Sequence, residues 1–165
     1  MGNFEVAPTL AIACSHGFRG ASHAEILKAA EEILLNRVRG SHAMSSPQIV
    51  RDYLRTKLGT LEYEMFGVIH MDSKYRVLEF REMFRGTVHQ TSVYPREIVR
   101  DALAINSQAV ILVHNHPSGD TTESQADIAL TRRVRETLAL IDVAVADHLI
   151  VGGPHVRSFA ESGLM

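Results

Sequence analysis

The chain reads as an α/β protein, a mixed β-sheet flanked by helices. Segments with apolar residues at helical spacing alternate with short strand-like runs. One run, Ala109-Val110-Ile111-Leu112-Val113, is continuously apolar, as expected of a strand covered on both faces. Two other runs are joined by turn residues and read as a hairpin, so the sheet is not purely parallel.

The elements follow in order. Residues 1–22 match no clear element and read as a tail or an arm docking on a neighbour. Residues 23–38 carry Ile26, Leu27, Ala30, Ile33, Leu34 and Val38, a helical stripe that Gly40 ends. With the connector it forms a segment over 23–42, and the main domain runs from 43 to 165. Ser46-Pro47 starts a second helix, because Ser caps well and Pro suits the first helical position; Gly59 closes it after Leu58. A strand runs from Glu64 to Asp72 with Phe66, Val68, Ile69 and Met71. Asp72-Ser73-Lys74 turns, and Tyr75 to Arg85 returns as the second arm of the hairpin. Tyr94-Pro95-Arg96-Glu97 opens a helix to about Asn106. After the apolar strand come a polar loop over 114–123 and a helix from Ser124 to about Leu140. A strand from Val143 to Val151 follows, ended by Gly152-Gly153-Pro154, and Val156-Arg157-Ser158-Phe159 can return beside it.

Composition narrows the class. The 165 residues are 45% apolar and 22% charged, an ordinary globular mixture rather than a disordered one. No stretch approaches about 18 consecutive apolar residues, so no membrane span is expected. The charge sum is 17 minus 19, or −2, which provides no overall basic surplus for non-specific nucleic-acid binding. A single cysteine, Cys14, excludes an intramolecular disulfide framework and a Cys-rich zinc module. Ala11-Ile12-Ala13-Cys14 faintly resembles a lipobox, but no Lys or Arg precedes it. A protein of the cytoplasm is the expectation.

The informative segment is His114-Asn115-His116-Pro117-Ser118-Gly119-Asp120, followed by Ser124 and Asp127. It lies past the carboxyl end of a buried strand and before a helix, where open α/β sheets place their sites. Alternate side chains of an extended chain share a face, so His114 and His116 point the same way. Two imidazoles so placed can share a metal ion, and Asp127, in the first turn of the next helix, can supply a third ligand. Two histidines and a carboxylate leave a fourth tetrahedral position open, the geometry of catalytic rather than structural zinc. Such an ion acidifies water and polarises a carbonyl oxygen. Duller readings stay open. The histidines can be loop residues bonded to backbone. Ser124 and Asp127 fit a helix start, with a capping serine and an acid at the positive helix end.

This segment resembles the signature of the RadC family, a bacterial branch of the JAB/MPN metalloprotease-like domains. Its JAMM pattern, His-x-His-Pro, six residues, then Ser-x-x-Asp, is met at every position. Phe84-Arg85-Gly86-Thr87, Tyr94-Pro95-Arg96-Glu97 and Asp147-His148-Leu149-Ile150 resemble further segments of that family, so the likeness spans residues 24–165. It implies a JAB/MPN, cytidine-deaminase-like architecture and a zinc-dependent hydrolase of peptide or isopeptide bonds. Zinc would be held by His114, His116 and Asp127. A glutamate in a Glu-x-x-Gly/Ala-x-Leu/Ile context would act as general base, which Glu64-Met65-Phe66-Gly67-Val68-Ile69 fits; Glu62 shares its strand parity and competes. Ser124 would donate to the developing oxyanion. Longer relatives carry a helix-hairpin-helix region of DNA-binding type, of which this chain is expected to keep only the last helix. A DNA-associated repair or mobile-element role is the alternative. The expected partner is a protein or peptide substrate; self-association is compatible with the sequence.

Among the remaining candidates, His148 beside Asp147 can orient a metal ligand. His70, His89 and His155 have no supporting constellation, and Arg132-Arg133-Val134-Arg135 reads as a solvated helix face.

Overall fold

The computed structural model describes residues 10–39, 41, 43, 46–86 and 93–165. The first nine residues, the helix stop at Gly40, parts of the connector after it, Thr87 and His89 lie outside the described residues.

The N-terminal segment differs from the sequence reading. β1 (Ala11–Cys14) and β2 (Gly17–Gly20) pair as an antiparallel hairpin, with Gly17 at φ 125 leaving the turn. AIAC and GFRG are too short and too mixed to show a period, so only the backbone pairing reveals the hairpin. An ion pair of 2.5 Å between Arg19 and Glu25 ties it to α1 (His23–Val38). Ser22 caps that helix reciprocally: its hydroxyl accepts from the Glu25 amide, and its own amide donates to the Glu25 carboxylate.

α2 (Pro47–Leu58) follows, with Pro47 in its first turn. β3 (Met65–Met71) and β4 (Val77–Arg85) form the expected hairpin. β4 starts at Val77 rather than Tyr75, because Tyr75 sits at φ 56 inside the turn. There the Asp72 carboxylate accepts from the amides of Lys74 and Arg76. α3 (Pro95–Ile105) ends at Asn106 in the left-handed conformation. β5 (Ala109–Asn115), α4 (Gln125–Ala139), β6 (Ala144–Gly152) and β7 (His155–Ser158) complete the chain. Among the described residues, no helix is long and apolar enough to cross a membrane.

The five-stranded sheet runs β4-β3-β5-β6-β7; only the β5–β6 pair is parallel, with α4 as its crossover. Strand parity sends side chains to two cores. Ile69, Ile111, Val113, Leu149 and Val151 pack with Val50, Tyr53, Leu54 and Leu58 of α2. Phe66, Val68, Val110 and Leu112 pack with Ile98 and Ala102 of α3 and with Val134 and Leu138 of α4. Burying each such side chain contributes about 1.5–3 kcal/mol, far above the tenths that separate helix propensities. The sheet, not local preference, therefore sets where α4 lies.

β5 is central, and that lengthens it. Phe66 of β3 pairs with His114 on one side, and Val151 of β6 with Asn115 on the other. His114 thus belongs to the strand rather than to the loop the sequence suggested.

Candidate metal centre

Antiparallel pairing brings the start of β3 beside the end of β5, and the parallel crossover brings the first turn of α4 there as well. Three candidate ligands meet at that corner. Ligand atoms of His114, His116 and Asp127 all lie within 4.8 Å of one another. His114 Nε2 is 2.9 Å from His116 Nε2 and 3.3 Å from Asp127 Oδ1, and His116 Nε2 is 3.9 Å from Asp127 Oδ2.

Proton bookkeeping around the rings decides what these atoms offer. The Thr131 hydroxyl donates to the Asp127 carbonyl at 2.6 Å, because a carbonyl can only accept. Its oxygen therefore accepts from His148 Nδ1–H, also at 2.6 Å. His148 is fully buried, and burial, with His114 and His116 adding to it, holds its imidazole well below the usual range, so it is neutral. Its Nε2 then carries a lone pair and accepts from His114 Nδ1–H at 2.8 Å. Burial pushes His114 down to about 4 against the pull of Asp127, so this ring is neutral too and its Nε2 is unprotonated. His116 Nδ1–H donates to the Asp120 carbonyl at 2.7 Å, which turns Nε2 toward His114 and Asp127. The two Nε2 atoms thus face each other across 2.9 Å with a carboxylate beside them.

Asp127 is held by the helix start itself. The amide and hydroxyl of Ser124 donate to Oδ2 at 2.8 and 2.6 Å, and the Asp127 amide donates back to the Ser124 hydroxyl. The cap and the ligand reading of these two residues are therefore compatible: Oδ2 is engaged by the cap, and Oδ1 is the oxygen nearer His114.

Glu64 immediately precedes β3 and lines the same cleft of about 630 Å³ as His114, His116, Ser124 and Asp127. Glu62 is exposed and does not line it. Glu79 and Glu82 lie on β4, paired with Arg81 and Lys57. Asn115 explains how Glu64 is placed. Its buried side chain accepts from the Met65 amide at 2.8 Å and donates to the Tyr63 carbonyl at 3.0 Å, gripping the backbone on both sides of Glu64. Sequence reasoning quoted Asn115 without a role and did not single out Thr131; neither has a signal apart from its tertiary partners.

His70 also departs from expectation. Its ring, fully buried at the other end of β3, has Ser107 Oγ at 2.7 Å and Asp101 Oδ2 at 3.0 Å. Burial lowers its pKa despite Asp101. Ser107 is buried as well, while the Asp101 side chain is partly exposed.

The loop carrying His116 is pinned against β6 and its turn. The His116 amide donates to the Val151 carbonyl at 2.8 Å, and a Cβ on Gly152 would overlap the carbonyl of Gly119. Gly152→Ala is expected to lower stability by about 1–3 kcal/mol through this overlap and to weaken metal binding. Denaturant melts and metal titration of the variant check both effects.

A family model described as the RadC-like JAB domain matches residues 44–164. The chain belongs to that family. This RadC-like JAB domain is 50% identical over 139 residues to a UPF0758 protein of Vibrio cholerae, covering 84% of this chain and 88% of that one. It is 48% identical over 140 residues to a UPF0758 protein of Leptothrix cholodnii and 51% over 138 residues to one of Thiobacillus denitrificans. The matches cover 85% and 84% of this chain, but only 63% and 62% of those two relatives. Those names state no reaction, so the chemistry of this RadC-like domain rests on its site.

Proposed function

We propose that the chain is a zinc-dependent hydrolase of peptide or isopeptide bonds. One observation supports this above the others: Nε2 of two histidines and a carboxylate oxygen converge within 4.8 Å of one another. Two imidazole nitrogens and a carboxylate oxygen are a donor set that suits a zinc ion. The separations suit one, because ligand atoms about 2.0–2.1 Å from a tetrahedral ion lie roughly 3.3 Å apart. His114, His116 and Asp127 would hold zinc and leave a corner open. When bound, zinc supplies Lewis acidity toward a carbonyl oxygen and toward water.

The protein's own groups do the rest. Glu64 takes a proton from the attacking water and delivers it to the leaving amine nitrogen. Asn115 fixes the backbone from which Glu64 projects. The Thr131–His148 pair keeps the proton on His114 Nδ1, so Nε2 stays available as a ligand. Ser124 orients Asp127, and rotation of its hydroxyl away from the carboxylate presents a donor to the developing oxyanion.

Elemental analysis combined with assays on peptide and isopeptide-linked substrates tests the reading. The purified chain is expected to carry zinc, to lose hydrolysis on chelation and to regain it on adding zinc back. His116→Ala loses both metal and activity. A chain that retains no zinc, with a His116→Ala variant that titrates metal like the parent, overturns it.

A further inference from the structure

The three arginines of α4 divide between two faces. Arg132 and Arg135 line a separate groove between α4 and β6, and Arg132 is paired with Glu136 at 3.0 Å. Arg133 instead lines the cleft that holds His114, His116 and Asp127. Asp127, Leu130 and Arg133 recur every third residue, so they descend one side of the helix. Among the described residues, the Arg133 guanidinium has no carboxylate partner, and it is exposed. Phe66, Val93, Tyr94, Pro95 and Leu130 give the same cleft an apolar share of its lining.

The cleft thus combines a candidate metal site, apolar side chains and a guanidinium carried six helical residues beyond Asp127. Six residues of helix rise about 9 Å. An extended chain covers that distance in about three residues.

We infer that Arg133 forms a carboxylate-binding subsite, so that the cleft selects peptide segments with a carboxylate about three residues from the bond to be cut and apolar side chains between. The guanidinium fork matches a carboxylate in a bidentate way that no other cleft residue offers. The carboxylate can be a free C-terminus, which places it on the amine side of the cut bond, or an Asp or Glu side chain. The inference rests on the amide-hydrolase reading of the same cleft.

Fluorescence anisotropy with labelled apolar hexapeptides tests it, using the full zinc-loaded chain in a Glu64→Gln background so that binding is read without turnover. One peptide pair differs only in a free or amidated C-terminus, and the other only in an internal Glu or Gln. At least one acid form is expected to bind about tenfold more tightly than its neutral partner, as suits a charge-assisted pair. Whichever pair shows the gap names the source of the carboxylate. The gap should shrink with salt. It should vanish in Arg133→Glu and persist in Arg135→Glu, which changes the same charge on the other face. Equal binding of acid and neutral forms, or equal loss in both variants, overturns the subsite. Turnover of the same peptides by the parent chain separates the two claims. Carboxylate-dependent binding with no peptide cut sinks the hydrolase reading alone; cleavage indifferent to carboxylates sinks the subsite alone.

Discussion

Glu64→Gln is expected to keep the fold and the zinc while hydrolysis falls by about 10²–10⁴-fold, the usual contribution of a positioned general base. The amide is nearly isosteric with the carboxylate but takes up no proton at neutral pH. Glu64 lines the cleft without belonging to the group of three ligands, so metal content should not change. Glu62→Gln is the matched control. Its side chain is exposed and does not line the cleft, so its rate should stay near that of the parent. Equal rate losses in the two variants, or a Glu64→Gln protein that no longer binds zinc, would reject the assignment of the base. Asn115→Ala should reproduce part of the Glu64 effect, since the backbone on both sides of Glu64 would lose its anchor.

Thr131→Val should weaken zinc binding by about 10–100-fold, the range typical for groups that orient a metal ligand. Valine fills the same space but cannot accept from His148 Nδ1–H. That leaves a buried donor unpaired and removes what fixes the ring protons of His148 and His114. Thr131→Ser keeps the hydroxyl and should restore affinity. A merely structural threonine would show the reverse: similar stability losses in both variants and unchanged affinity for zinc. Competition with a chelating dye measures the affinity, and thermal melts measure the stability.

Local spacing was enough to expose the histidine pair, the acid at the start of α4 and the strand that ends beside them. Alternation along an extended chain puts His114 and His116 on one face whatever the rest of the fold does. The helix start from Ser124 to Asp127 is likewise local, because capping satisfies donors within a few residues; at Ser46-Pro47 the start is local through the proline, since Ser46 makes no side-chain cap bond. The β3–β4 hairpin was legible for the same reason. Where the reading failed, backbone pairing rather than residue pattern was in control. β5 gains His114 and Asn115 because strands on both sides hold them. The β1–β2 hairpin depends on pairing rather than on any pattern in its eight residues.

The candidate site shows the same division. The residues able to hold a cation, and one glutamate able to work beside it, belong to the linear sequence, because ligand chemistry is a property of residue types and their spacing. The distinction between Glu64 and Glu62, the hold of Asn115 on the strand start and the Thr131–His148 chain that sets the ring protons depend on contacts between segments remote in sequence. The orientation of Arg133 toward the cleft, unlike Arg132 and Arg135, depends on how α4 is rotated against the sheet, and burial of Val134 and Leu138 sets that rotation. Pairing and packing join residues that no local pattern relates, so only the tertiary structure could decide them.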